Sequence, residues 1–336
     1  MRVFLTGGTG YLGASIARAL IEAGHQVTAL ARDAERAASL VGCGAQLVVG
    51  DVADSAAFED ELAGCEGLVH TAGFVRSWHP EHERFDRINV TGALDLLDRA
   101  RRAGIERTLV TSSFFALGPS DDGPPLDESA ANRPLHPVSR ANDYVRTKSV
   151  MTRRVIDRQK KGAGVMLAIP TILLGPGPRT RGNHTARVLA GIGKRRFPGL
   201  VGHGDQVWNL VGVEDAARGH VLALERGTPG ENYIFGGEDW TQRRFVERAA
   251  AAFGVPPVTR RLGTALPTLV GRTAETWAAL TGREPLLTRG EVRLYDRNWS
   301  FSSAKARRDL GYEPEPVQRV LESTVTWLKE EIWKRR

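Results

Sequence analysis

The sequence predicts an α/β fold in which a doubly wound parallel sheet carries a smaller, mostly helical C-terminal substrate lobe. Three observations lead there. Short apolar, β-branched runs alternate with stretches at helical spacing over the first 175 residues, a glycine-rich turn follows the first run, and the alternation gives way to helical patterns in the last third of the chain. Strands separated by whole helices need long crossovers, so they pair in parallel and bury both faces of their sheet.

Taken in order, strands are expected at 3–6, 26–30, 46–49, 67–71, 107–112 and 164–169, where apolar and β-branched residues cluster. Helices are expected near 11–23, 33–40, 54–63, 83–103 and 139–161, where apolar positions recur at helical spacing. After Pro170 the alternation stops in a Gly/Pro/Arg-rich connection, 175–182, followed by a helix-like stretch to about residue 196. A further strand and helix, 206–213 and 214–226, are expected to return to the main sheet. Helical patterns at 241–253, 266–282, 302–309 and 316–332 complete the lobe, with little strand signal after residue 232. The resulting division is 1–175, with 204–228 returning to it, as the main domain, and 176–203 with 229–336 as the lobe.

Composition narrows the function classes. A chain of 336 residues makes roughly two folding units at ~150 residues each. With 41% hydrophobic and 25% charged residues it belongs with globular proteins. Its longest apolar run, 165–174, is too short to span a bilayer and is broken by Pro170, so no membrane span is expected. Cys43 and Cys65 cannot build a disulfide framework, which fits a reducing, cytoplasmic setting. The first residues read as a short β-like run rather than a basic segment leading into a cleavable apolar one, so no secretory leader is expected. The net charge of +7 is scattered, with short clusters at 153–154, 194–196 and 334–336 and no aromatic-interleaved stripe, so no nucleic-acid partner is expected.

The turn after the first strand reads Gly7-Gly8-Thr9-Gly10-Tyr11-Leu12-Gly13 and opens a helix. Glycines there allow a tight turn and close approach of a pyrophosphate, while the helix N-terminus offers unpaired amides. The second strand ends at Arg32-Asp33. An arginine at that place can pair a 2′-phosphate, which tilts the cofactor toward NADP, with NAD the alternative because Asp33 could bind ribose hydroxyls. An exposed arginine heading a helix is the plainer reading of Arg32. Asp51-Val52 and His70-Thr71-Ala72-Gly73 also stand at carboxyl ends of strands, where open α/β sheets bind ligands.

Tyr144 and Lys148 are four residues apart on one helix face. A fixed ammonium beside a phenol favours the phenolate, which would fit Tyr144 for general acid/base work. Ser113, at the end of the fifth strand, adds a hydroxyl that could hold a substrate carbonyl oxygen, although serine at a strand end is often only a turn former.

With these motifs in place the chain resembles the extended short-chain dehydrogenase/reductase superfamily, the NAD-dependent epimerase/dehydratase group, over essentially its whole length. The residues that carry the resemblance are 6–13, Asn89-Val90-Thr91-Gly92, Ser112-Ser113, Tyr144 with Lys148, Pro170-Thr171, Gly175-Pro176-Gly177, Val213-Glu214-Asp215-Ala216-Ala217, and 302–305 with 310–312. The segments 111–118 and 232–237 look most like farnesol dehydrogenases and hopanoid-associated sugar epimerases, with dihydroflavonol reductases and hydroxysteroid dehydrogenases as broader relatives. The resemblance implies a Rossmann sheet. It further implies that Ser113 and Tyr144 polarise the reacting oxygen and that Lys148 binds the nicotinamide ribose and tunes Tyr144. Tyr11 and Leu12 would offer amides to the pyrophosphate, Asp51 and Val52 would contact adenine, and Pro170, Thr171 and Ile172 would border the nicotinamide; Ala72 and Gly73 are counted among the cofactor-binding residues. Asn89 would support the active-site backbone. A homodimer through the helices near 83–103 and 139–161 is a further implication.

The shared hydride machinery does not separate reductases from nucleotide-sugar epimerases. Nucleotide-sugar enzymes of the superfamily typically carry an arginine just before the Val213-Glu214-Asp215 segment, and here Trp208 stands in its place. An indole offers apolar surface and no charge for a diphosphate. Phe74, Val75, Trp78, Phe114 and Phe115 are further apolar candidates for the pocket, each with ordinary packing as the plainer reading. The expected activity is an NAD(P)-dependent alcohol dehydrogenase or carbonyl reductase acting on a hydrophobic small molecule. A nucleotide-sugar epimerase/dehydratase and a non-catalytic redox sensor are the alternatives. His79 and His82 lack a third ligand at sensible spacing, so no metal is expected.

Overall fold

The computed structural model describes residues 1–336 except Asp122, Arg179, Arg181 and 334–336; the basic cluster at 334–336 thus lies outside the described residues. Among the described residues a seven-stranded sheet forms from β1 (Arg2–Thr6), β2 (Gln26–Ala31), β3 (Gln46–Val49), β4 (Gly67–His70), β5 (Arg107–Thr111), β6 (Met166–Pro170) and a last strand at Asn232–Phe235. Its order is β3-β2-β1-β4-β5-β6 and then Asn232–Phe235, with every pairing parallel. The order reverses between β1 and β4, so the crevice at their carboxyl ends is where this architecture places a ligand. The α/β expectation holds, and so do its first six strands.

Helices cover both faces. On one side pack α1 (Tyr11–Glu22) and the helix Val213–Arg226. Small residues at Ala216, Ala217, Gly219 and Ala223 let that second helix lie close. Glu214 also accepts hydrogen bonds from Ser15 and Arg18 of α1, both at 3.0 Å. The other face carries the long helical run through residues 83–102 and the helix Asp143–Gln159, packed on Phe4, Leu68, Val110 and Leu167.

Two expectations about strands are corrected. The strand Val207–Gly212 does not return to the main sheet; it sits in a second, three-stranded sheet, parallel to Ile172–Leu174 and antiparallel to Glu238–Thr241. The strand that does rejoin the main sheet is Asn232–Phe235, in a region read as having little strand signal. Three of its four residues are buried, so it shows no alternation, and Gly236-Gly237 ends it at once. Its open edge is covered in part by buried Glu128, whose Oε1 accepts from the Ile234 amide at 2.9 Å.

The helical expectations are refined. The stretch at 33–40 is a turn leading to a short helix, Ala38–Gly42, because the Asp33 carboxylate caps the turn through the Glu35 amide. The stretch 54–63 belongs to the 3₁₀ run Val52–Leu62, interrupted where Asp54 and Phe58 leave helical dihedrals. In the lobe, helices form at His184–Gly193, Gln242–Phe253, Ala265–Thr281, Ala304–Leu310 and Val317–Trp333, close to expectation, and at Arg289–Tyr295, which was not expected. No described helix is long and apolar enough to cross a membrane.

Candidate active site

The glycine turn leaves β1 and enters α1 directly beside the end of β4. Gly7 has φ +78°, and a Cβ there would fall 2.5 Å from the Ala72 amide nitrogen. A Cβ on Gly13 would fall 2.1 Å from the Gly7 carbonyl oxygen. Both positions therefore require glycine if the turn is to stay tight against the sheet. Gly10 is the N-cap of α1 and no side chain caps it, nor does the first turn hold an acidic residue. The first-turn amides, including those of Tyr11 and Leu12, thus remain for an anion. The Tyr11 ring is buried and its hydroxyl donates to the Gly175 carbonyl at 2.8 Å, tying the turn to the connection into the lobe. That side-chain role was not read from the sequence, which gave Tyr11 only a backbone part.

At the adenine end, Arg32 is exposed, while Asp33 is occupied by its own turn and by Arg36 at 3.5 Å. Asp51 caps the 3₁₀ run through the Ala53 amide, and Val52 is buried beneath it. A Cβ on Gly92 would meet the Val52 carbonyl oxygen at 2.7 Å, which gives the Asn89-Val90-Thr91-Gly92 motif a packing reason at its last position.

Asn89 stands in a π-helical stretch, Arg87–Gly92, within the long helical run. The wide turn aims its buried amide at two elements. Its Oδ1 accepts from the Phe74 amide at 2.6 Å, and its Nδ2 donates to the Phe74 carbonyl at 3.3 Å and to Thr147 Oγ1 at 3.0 Å. Asn89 therefore joins the loop after β4 to the helix that carries Tyr144 and Lys148. It is a positioning residue, and Thr147, its partner, was missed because no spacing rule marks it.

Lys148 is buried, and its Nζ donates to the Thr111 carbonyl at 2.8 Å. A Cβ on Gly73 would lie 3.7 Å from that Nζ. Burial pulls the ammonium down to about 8. Burial and the Lys148 charge together push His70 down to about 3, so it is a neutral ring bonded to Thr6 Oγ1 at 2.8 Å. Ser113 caps the turn Phe114–Leu117 at the end of β5. Burial raises the Tyr144 phenol to about 12, with the Ser113 hydroxyl acting in the opposite direction. The net shift on Tyr144 in this structure is therefore upward, whatever lowering a cation gives. Desolvation of the phenolate prevails, and the ammonium is turned onto a carbonyl.

The residues fit a dinucleotide. Besides the uncapped helix end, the Thr171 hydroxyl is buried without a hydrogen-bond partner at the end of β6, between buried Pro170 and partly exposed Ile172. Ala72 and Gly73 are partly exposed at the crevice.

The aromatic candidates separate. Phe114 is buried against Trp299 and Phe301, with centroids 5.4 and 5.7 Å away, so it is core rather than pocket wall. Phe115 is partly buried, edge-on to Trp299 at 5.0 Å. Phe74 is partly buried, flanked by Phe85 and by the guanidinium groups of Arg76 and Arg84 at 5.2 and 5.0 Å. Val75 is exposed and Trp78 partly so. Trp208 is partly buried in the lobe, near Phe245 at 6.1 Å and Tyr295 at 5.8 Å. His79 stacks edge-on to Phe74, and His82 pairs with Asp143 at 2.6 Å.

Comparison with known proteins agrees with this geometry. The model of the NAD dependent epimerase/dehydratase family matches residues 3–236. A putative dihydroflavonol 4-reductase of Synechocystis sp. is 31% identical over 97% of this chain and 94% of its own length. Sterol demethylase protein B of Methylococcus capsulatus is 29% identical over 98% of this chain and 99% of its own. The crystal structure of gox2253 superposes with a TM-score of 0.83 at 30% identity, covering 98% of each chain. The chain therefore belongs to the NAD dependent epimerase/dehydratase family, within the extended short-chain dehydrogenase/reductases.

Proposed function

We propose that this protein is an NAD(P)-dependent oxidoreductase that interconverts an alcohol and a carbonyl on a hydrophobic small molecule. The observation that carries the reading is that Lys148, on the helix that also bears Tyr144, lies against the end of β5, where Ser113 stands, and beside Gly73. When bound, the nicotinamide supplies or accepts the hydride. Ser113 holds the substrate oxygen, and the Tyr144 phenol gives that oxygen its proton in reduction and removes it in oxidation. Lys148 stabilises the phenolate left after proton donation and holds the cofactor ribose. Two relatives named for a dihydroflavonol and a sterol support a hydrophobic substrate. So does Trp208, whose indole cannot neutralise a diphosphate.

With the phenol raised to about 12, the proton donor is intact throughout the neutral range. Reduction should be nearly independent of pH between 6 and about 8, and oxidation of the alcohol should climb with pH as the base form grows. The decisive assay compares NADPH and NADH oxidation across a panel of hydrophobic ketones. Turnover of UDP-sugars with no NAD(P)-linked reaction on that panel would establish the epimerase reading instead.

Arg32 is assigned to the 2′-phosphate of NADP, since the neighbouring acidic group is engaged in its turn. Arg32→Asp should raise KM for NADPH roughly ten- to a hundredfold and leave that for NADH nearly unchanged, because a charge-assisted hydrogen bond is worth about 1.5–3 kcal/mol. Equal effects on both cofactors would refute the assignment.

A further inference from the structure

The helix Ala265–Thr281 is built with its apolarity reversed. The side it presents to the protein consists of small residues, with Pro267, Gly271 and Ala278 buried, and a Cβ on Gly271 would already crowd the Arg289 amide at 2.9 Å. Its large apolar residues face solvent instead: Leu266, Leu269, Val270, Trp277 and Leu280 are 51, 60, 47, 62 and 79% exposed, and Leu286 just beyond the helix is fully so. The first five fall at helical spacing on one stripe. The threonine hydroxyls of the same helix are satisfied by the helix itself, with Thr273, Thr276 and Thr281 donating to carbonyls of their own helix at 2.8–3.0 Å. A contiguous apolar face of this size marks an interaction surface.

Charge identifies the occupant. Between 256 and 290 the acidic residues are Glu275 and Glu284, and both are paired, with Arg289 and Arg76. Arg272 on the helix, Arg283 just after it, and Arg260 and Arg261 before it in the chain are exposed and form no ion pair among the described residues. A two-fold pairing of this face with a second copy would set those cations against their own copies. An anionic lipid surface would neutralise them while the tryptophan and leucines entered the acyl boundary.

The segment that follows this helix is also tied to the loop after β4, which carries Phe74 and exposed Val75, by Arg76 to Glu284 at 3.6 Å and by Ser77 Oγ donating to Glu291 at 2.6 Å. We propose that the Ala265–Thr281 face seats on anionic lipid and brings the crevice to substrates dissolved in the membrane. The second half of this inference rests on the hydrophobic-substrate reading above.

The test uses the full-length protein and sedimentation with vesicles of phosphatidylcholine alone or mixed with phosphatidylglycerol. Binding is expected to the mixed vesicles, weakening with salt. Trp277→Asp with Leu280→Asp should weaken it by about tenfold or more. Arg272→Glu with Arg283→Glu should also weaken it and flatten the salt dependence. Both pairs should leave NADPH binding and turnover of a water-soluble ketone unchanged. Absence of vesicle binding by the wild type would overturn the proposal, as would a solution dimer that the Trp277 and Leu280 changes dissolve. Ketone turnover without vesicle binding would defeat this inference and leave the catalytic reading standing; vesicle binding without any carbonyl turnover would do the reverse.

Discussion

Tyr144→Phe is expected to lower kcat for carbonyl reduction by about a thousandfold while cofactor affinity stays within about twofold, the range of general acid catalysis being roughly 10²–10⁴. The substitution removes one oxygen and keeps the ring, so the packing of Tyr144 against the core beneath its helix is preserved. Because the phenol is raised to about 12, the wild-type donor is protonated at neutral pH. Its loss cannot be compensated by Ser113, whose hydroxyl is a far weaker acid. Two readouts separate this from a structural effect: NADPH titration by fluorescence, which should be unchanged, and the pH dependence of alcohol oxidation, whose rise should disappear. A variant that kept most of its turnover would remove Tyr144 from the reaction, whatever its geometry.

What the sequence made legible follows from how local each signal is. The glycine turn, the strands before Pro170 and the i, i+4 relation of Tyr144 and Lys148 are all set within a few residues of chain. The assignment of Val207–Gly212 to a sheet was not local. Its apolar run says strand, but which sheet it joins depends on pairing with Ile172–Leu174 and Glu238–Thr241. Asn232–Phe235 was hidden for the complementary reason, being short and largely buried. Phe114 illustrates a third limit: an aromatic beside a strand-end serine can equally face the pocket or the core, and here Trp299 and Phe301, far along the chain, claim it. The protonation of the site lay further out of reach. A Tyr/Lys spacing announces that a cation is near a phenol, yet the balance between that attraction and desolvation depends on burial, and burial prevails on both groups.

That balance yields the second large effect. Lys148→Met should abolish most turnover, by about 10²–10³-fold, because it removes the cation that stabilises the Tyr144 phenolate, and yet give a more stable protein without cofactor. Lys148 is 5% exposed, and burial lowers its ammonium from 10.5 to about 8. A basic group depressed in this way binds fewer protons in the folded than in the unfolded chain between pH 8 and 10.5. Stability therefore rises with pH across that window, and the penalty is fully present below it. At 1.36 kcal/mol per unit the cost at neutral pH is about 3 kcal/mol. Methionine fills a similar volume without a charge to desolvate, but it leaves the Thr111 carbonyl without the Lys148 donor, at a cost of about 1 kcal/mol. The net expectation is a gain of about 2 kcal/mol at pH 7 that shrinks toward zero or reverses near pH 10, read from urea unfolding at the two pH values. A variant less stable than wild type at pH 7, or a gain indifferent to pH, would mean that Lys148 is held by interactions outweighing its desolvation. Saturating cofactor should oppose the apo gain, because the wild type keeps the ribose contact that the variant lacks. The lysine is then a group retained at the expense of apo stability for what it does when the site is filled.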